Sequence, residues 1–88
     1  MPRKTGKTLK FMDTVKLNRA KNVIDYIAFI VTEFALKHKI SMQQSFDYLN
    51  KYGGIAFLGK FYDVEHCENP AITLRSLQQI CGKQGGYL

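Results

Sequence analysis

The chain has 88 residues, 45% of them apolar and 12% aromatic, with thirteen Lys and Arg against seven Asp and Glu for a net charge of +6. That length suits one domain with one modest core, and the apolar content excludes a disordered polymer. The longest apolar run, residues 23–36, is interrupted by Asp25 and Glu33 and is shorter than the roughly 20 residues of a membrane span. The basic start is followed by neither an apolar segment nor a small-residue cleavage site, so no secretory leader is expected. The two cysteines, Cys67 and Cys81, are expected to be free thiols in a reducing cytoplasm, because a core this apolar needs no covalent staple.

The charge is unevenly placed. Residues 1–21 hold Arg3, Lys4, Lys7, Lys10, Lys16, Arg19 and Lys21 against Asp13 alone, which accounts for the whole excess of +6. This segment reads as a basic, poorly ordered arm preceding a helical domain at 22–88. Its cations, Arg3, Lys4, Lys7 and Lys10 above all, suit phosphate-backbone contacts with little sequence preference. Apart from Phe11 the arm lacks interleaved aromatics, so stacking on single-stranded bases is not expected. The string "KTGKT" is no phosphate loop: the first glycine of that motif would fall at Met1, and no apolar strand leads into it. Leu9, Phe11, Val15 and Leu17 fit either an alternating strand or a frayed helix.

From Asn22 the spacing is helical. Val23, Ile24, Ile27, Ile30, Val31 and Phe34 recur at three and four, giving a broad inward face. This first helix should end near Lys37-His38-Lys39, where cations suit the C-terminal dipole. "SMQQ" then places Ser41 as N-cap with Gln44 three residues on, a capping box. Met42, Phe46 and Leu49 form its inward stripe, with Tyr48 and Tyr52 on the neighbouring face. Gly53-Gly54 follows as a helix corner, where glycine takes the left-handed conformation that closes a helix end. A third helix is predicted from Ile55 to His66 or Cys67, with Phe57, Leu58, Phe61 and Val64 inward and Gly59 at a close approach. Asn69 and Pro70 supply a cap and a first helical residue for the last helix. Leu74, Leu77, Ile80 and Cys81 line it, and Gly82 or Gly85-Gly86 ends it. The fold class is therefore all-α, a small bundle of about four helices behind the basic arm.

The corner does not make a DNA-reading motif. The helix after it, "IAFLGKFYDVEH", offers one lysine and two acids where base edges require polar and basic side chains. Tyr62, Asp63 and His66, with Cys67 beside them, form the one polar cluster with functional promise. Asp63 and His66 stand three apart, within hydrogen-bonding reach on a helix. A general base or a metal ligand at His66 would need further groups at motif spacing, and His38 and Cys81 do not provide them. No catalytic residue, metal or cofactor is expected.

"SFDYLNKYGGIAFLGKFYDVEHCEN" followed by "LRSLQQICGKQGGYL" resembles a family of short bacterial all-helical domains of unknown function, often encoded beside proteins that resemble ADP-ribosyltransferases. The resemblance covers residues 22–88 and leaves out the basic arm. Cys67 departs from it, standing where a small hydroxyl residue is expected. The resemblance implies a non-enzymatic accessory or antitoxin-like role and carries Tyr62, Asp63 and His66 over as candidate functional positions.

The expected function is a small cytoplasmic, non-catalytic interaction domain. It would bind a protein partner or a second copy through apolar side chains beyond one stripe per helix, Tyr26, Phe29, Tyr48 and Tyr52 among them. The alternative is a nucleic-acid-associated protein that uses the basic arm. No membrane association is expected.

Overall fold

The computed structural model describes residues 11–88, with side chains from Leu17 onward; Arg3, Lys4, Lys7 and Lys10 lie outside the described residues. Those described form five helices and no strand: α1 Phe11–His38, α2 Met42–Lys51, α3 Gly54–Lys60, α4 Tyr62–Glu65 and α5 Pro70–Lys83. The fold is all-α, as the spacing of three and four requires.

Helix α1 starts at Phe11, so the boundary expected before Asn22 falls inside it. Residues 11–21 contain no Gly or Pro, and Lys16, Leu17, Arg19, Ala20 and Lys21 are all good helix formers, so no residue there stops a helix. With 28 residues, α1 is about 42 Å long at 1.5 Å per residue. It sets the long axis of a molecule 55 × 24 × 21 Å.

The core lies along the C-terminal half of this rod. Ile30, Val31 and Phe34 of α1 meet Leu49 of α2, Leu58 of α3, and Leu74, Leu77 and Cys81 of α5. Burying side chains of this size is the main force holding the helices together, and truncating one as large as Phe34 costs about 3–5 kcal/mol. Ser45 is buried at the α1–α2 contact because its hydroxyl donates to the Val31 carbonyl at 2.8 Å. A small residue there lets the helices approach, and the hydrogen bond removes the cost of burying a polar group.

Each corner is fixed by end chemistry. At the start of α2 the Gln44 N–H donates to Ser41 Oγ at 3.0 Å, while the Ser41 N–H donates back to Gln44 Oε1 at 2.9 Å. Asn69 Oδ1 accepts from the Ala71 N–H at 2.8 Å, with Pro70 as the first residue of α5. Gly53 has φ 87°, the left-handed turn expected of the double glycine, and a side chain on Gly54 would meet Leu49 at 2.8 Å. The C-terminal glycines close α5 in the same manner: the Gly86 N–H donates to the Cys81 carbonyl at 2.8 Å, and Gly86 lies against the Tyr52 ring. The end of α1 uses the same motif without a glycine. Lys39 takes φ 56°, and the Ile40 N–H donates to the Ala35 carbonyl at 3.0 Å.

Several inward assignments differ from those expected. Ile24 is exposed, and Met42 and Phe46 border an open groove with it instead of a closed core. The third helix is broken: Phe61 at φ −108°, ψ 23° separates α3 from α4 and turns α4 so that Tyr62 meets α1. Phe61 and Val64 consequently face outward. Gly59 faces open space, so no close approach accounts for it.

Two predictions follow from the end of α1. Lys39→Gly relieves a left-handed residue that carries a side chain, and should stabilise the fold by about 1 kcal/mol in chemical denaturation. His38 packs on Phe34 with ring centroids 4.3 Å apart, and its Nε2 is buried without a hydrogen-bond partner among the described residues. Burial, helped by Lys37, lowers its pKa from 6.5. Protons therefore bind the unfolded chain more readily, so stability is full above pH 6.5 and falls as the pH drops below it. Melting temperatures measured between about pH 7.5 and pH 5.5 should show this slope, and His38→Phe should flatten it.

Candidate functional site

The Tyr62, Asp63 and His66 cluster forms a ladder of side chains between α1 and α4. The Tyr62 and His66 rings stack at 4.2 Å with an 8° interplanar angle, and Tyr26 of α1 meets Tyr62 edge-on at 5.6 Å. Arg19 caps the other face of the stack, its guanidinium carbon 5.5 Å from the Tyr62 ring centre. It also donates to both Asp63 carboxylate oxygens, at 2.7 and 3.1 Å. That hydrogen bonding holds Asp63 below the ordinary carboxylate pKa. The pair is solvent-exposed, so it orients α1 against α4 more than it stabilises the fold.

His66 Nδ1 stands 2.6 Å from the Tyr62 carbonyl oxygen. A carbonyl only accepts, so Nδ1 carries the hydrogen and Nε2 is left as the basic nitrogen. Nε2 is 3.7 Å from Cys67 Sγ, and the whole pair is exposed. Behind the ladder, Thr73 donates to Glu65 at 3.1 Å and Tyr26 makes a long contact of 3.5 Å to Thr73. Burial raises the Tyr26 pKa. Each polar member is thus occupied by a neighbour. Among the described residues, no three His, Cys, Asp or Glu side chains are grouped to hold a metal ion.

Of the four aromatics expected to face a partner, three are engaged within the fold. Tyr26 belongs to the ladder. Tyr48 stacks on Phe34 at 5.6 Å and donates to the Gly86 carbonyl at 2.9 Å. Tyr52 packs between Tyr48 and Gly86. Only Phe29 remains outward, at 46% exposure. The surplus apolar surface is elsewhere. A hollow of about 360 Å³ is lined by Ile24, Ile27, Ala28 and Val31 of α1 and by Met42, Gln43 and Phe46 of α2. A second, of about 420 Å³, shares Ile24 with it and is lined otherwise by Arg19, Ala20 and Val23. Neither hollow includes Tyr62, Asp63 or His66.

Residues 25–84 match the family described as Protein of unknown function (DUF3791). The chain belongs to that family. The DUF3791 region runs from Asp25 to the end of α5, so it contains Tyr26, Tyr62, Asp63 and His66 but not Arg19. The groove crosses its boundary, with Ile27 to Phe46 inside and Arg19 to Ile24 outside. Neither a curated protein nor a solved structure matches the chain. No helix among the described residues is long and apolar enough to cross a membrane.

Arg19 escaped the sequence reading because it is 44 residues from Asp63 and was counted with the arm. The groove did have a signal: Leu17, Ala20, Ile24, Ile27, Val31 and Phe34 alternate by three and four, the seam pattern of a helix that pairs with another helix.

If Arg19 fastens α1 to α4, Arg19→Ala should speed amide hydrogen exchange at residues 17–23 and leave residues 30–36 unchanged. For His66, nitrogen-15 spectra of the neutral ring should show the proton on Nδ1; a proton on Nε2 would contradict the assigned hydrogen bond.

Proposed function

We propose that this domain is a non-catalytic protein-interaction module that receives a helix of another polypeptide in the groove between α1 and α2. The observation that carries this reading is a contiguous apolar surface left open: Ile24 is 65% exposed, Met42 48% and Phe46 41%, around a floor of Ile27, Ala28 and Val31. Isolated exposed apolar residues are ordinary, whereas a continuous apolar groove marks a binding surface. Its walls are two helices, and ridges of a third helix fit between such walls.

Catalysis has little to work with in this arrangement. Among the described residues Arg19 is the one titratable side chain lining the groove, and it is tied to Asp63, while Tyr62, Asp63 and His66 lie outside it. The resemblance described above adds context: a bacterial, cytoplasmic accessory or antitoxin-like protein whose partner is a neighbouring gene product resembling an ADP-ribosyltransferase. The nucleic-acid alternative rests on Arg3, Lys4, Lys7 and Lys10. Two cations of α1, Arg19 and Lys21, are paired with Asp63 and Asp25, which leaves those two less available to phosphate.

Co-expression with the neighbouring gene's product and sedimentation of the mixture test the reading. Ile24→Glu or Phe46→Glu should weaken the complex by more than about tenfold, while Phe29→Glu, outside the groove, should leave it intact. Undiminished binding by both groove variants would contradict the reading.

A further inference from the structure

We infer that the free chain closes this groove with the same stretch of α1 from a second copy, the two rods running antiparallel; the inference rests on the groove reading and names its occupant. Spacing selects that occupant. Leu17, Ala20, Ile24 and Ile27 follow one another by three, four and three, a series that reads the same in both directions. Turned end for end about a two-fold axis level with Asn22, the series meets itself. Leu17 then faces the second copy's Ile27, and Ala20 faces the second copy's Ile24. The large side chain at 24 meets the small one at 20, which lets the rods approach closely. The α2 wall adds to the same contact, because Met42 and Phe46 line the hollow with Ile27 and meet the incoming Leu17.

Direction follows from what already covers each rod. Val31 and Phe34, the next members of the seam, are buried in the core, whereas Leu17 and Ile24 are exposed. A parallel pair in register would bring both bundles to the same end of the rods, where the core already occupies the seam. The antiparallel pair uses only the uncovered members and leaves the two bundles at opposite ends. Charge does not select the occupant. Arg19, the one charged residue lining the hollows, is paired with Asp63, and Lys21 is paired with Asp25. The apolar area available is that of a weak, reversible dimer. Leu17, Ile24, Met42 and Phe46 keep between 41% and 65% of their surface in water, about 100 Å² each. With Ala20, Val23, Ile27 and Ala28, one copy offers on the order of 500 Å², or about 1,000 Å² for the pair, the lower bound of specific interfaces.

Sedimentation equilibrium of the full chain from about 1 to about 500 µM tests this, and should follow the passage from monomer to dimer. Ile24→Glu and Leu17→Glu, both at exposed positions, should weaken the dimer at least about tenfold while circular dichroism stays helical. Phe29→Glu, outside the groove, should leave the dimer intact. Each copy carries a net charge of +6, so added salt should tighten the dimer by screening the repulsion between copies. A single spin label at Leu36→Cys on a Cys67→Ser background reads the direction of the rods. Antiparallel rods paired about Asn22 hold the two labels at least about 42 Å apart, the rise of 28 residues, and dilution with unlabelled chain should remove that distance. Labels closer than about 25 Å would show a parallel pair and overturn the inference. A dimer that both seam variants leave intact would overturn it as well. A strict monomer whose groove binds the co-expressed gene product would give the groove to a different polypeptide, overturning the second copy and leaving the groove reading standing. A strict monomer whose groove variants leave that complex undiminished would overturn both.

Discussion

A helix of 28 residues is packed against helices of 10, 7, 4 and 14 residues. The shorter helices gather around one half of the long one and close a core on Ile30, Val31 and Phe34. Because the rod outruns its cover, its apolar seam continues past the end of the core and meets solvent at Ile24 and Leu17. The groove, its boundary with α2 and its placement in the basic part of the chain all follow from that difference in length. Hydrophobic free energy scales with the area removed from water, so an uncovered seam is a surface whose burial by a partner is favourable.

The polar ladder answers a related mechanical problem. A projecting helix end frays unless it is tied down, since its last turns gain little from packing. Arg19 is tied by two hydrogen bonds to Asp63 and by its position over the Tyr62 ring, which joins the projecting half of α1 to α4. The break at Phe61 makes this geometry available, because it turns Tyr62 and Asp63 towards α1. Tyr62, Asp63 and His66 are therefore well placed to hold the rod in position, and their chemistry is directed at one another.

What was legible in the sequence was mostly local. The Ser41–Gln44 box, the Asn69–Pro70 start and the left-handed Gly53 each depend on residues within three positions, and each stands where its residue types require. Orientation around a helix was less legible. Tyr26, Tyr48 and Tyr52 looked surplus because a stripe had already been assigned, yet each hydroxyl or ring finds a partner 34 to 47 residues distant in sequence or in the adjoining turn. The start of α1 was hidden by its lysines and arginines, which are good helix formers as well as the substance of a basic arm. The Phe61 break has no Gly or Pro to announce it. A link such as Arg19 to Asp63 depends on tertiary geometry that no local pattern encodes.

The central claim is that α1 is one stiff rod whose N-terminal half holds its seam clear of the bundle. Spin labels at Asn18 and Leu36, both exposed and on the same side of the helix, test it directly on a Cys67→Ser background in which Cys81 is buried. A continuous helix predicts a single narrow distance distribution near about 27 Å, the rise of 18 residues. A broad distribution, or one centred well below that value, would show that the rod bends or melts, and the groove would lose the wall on which it depends.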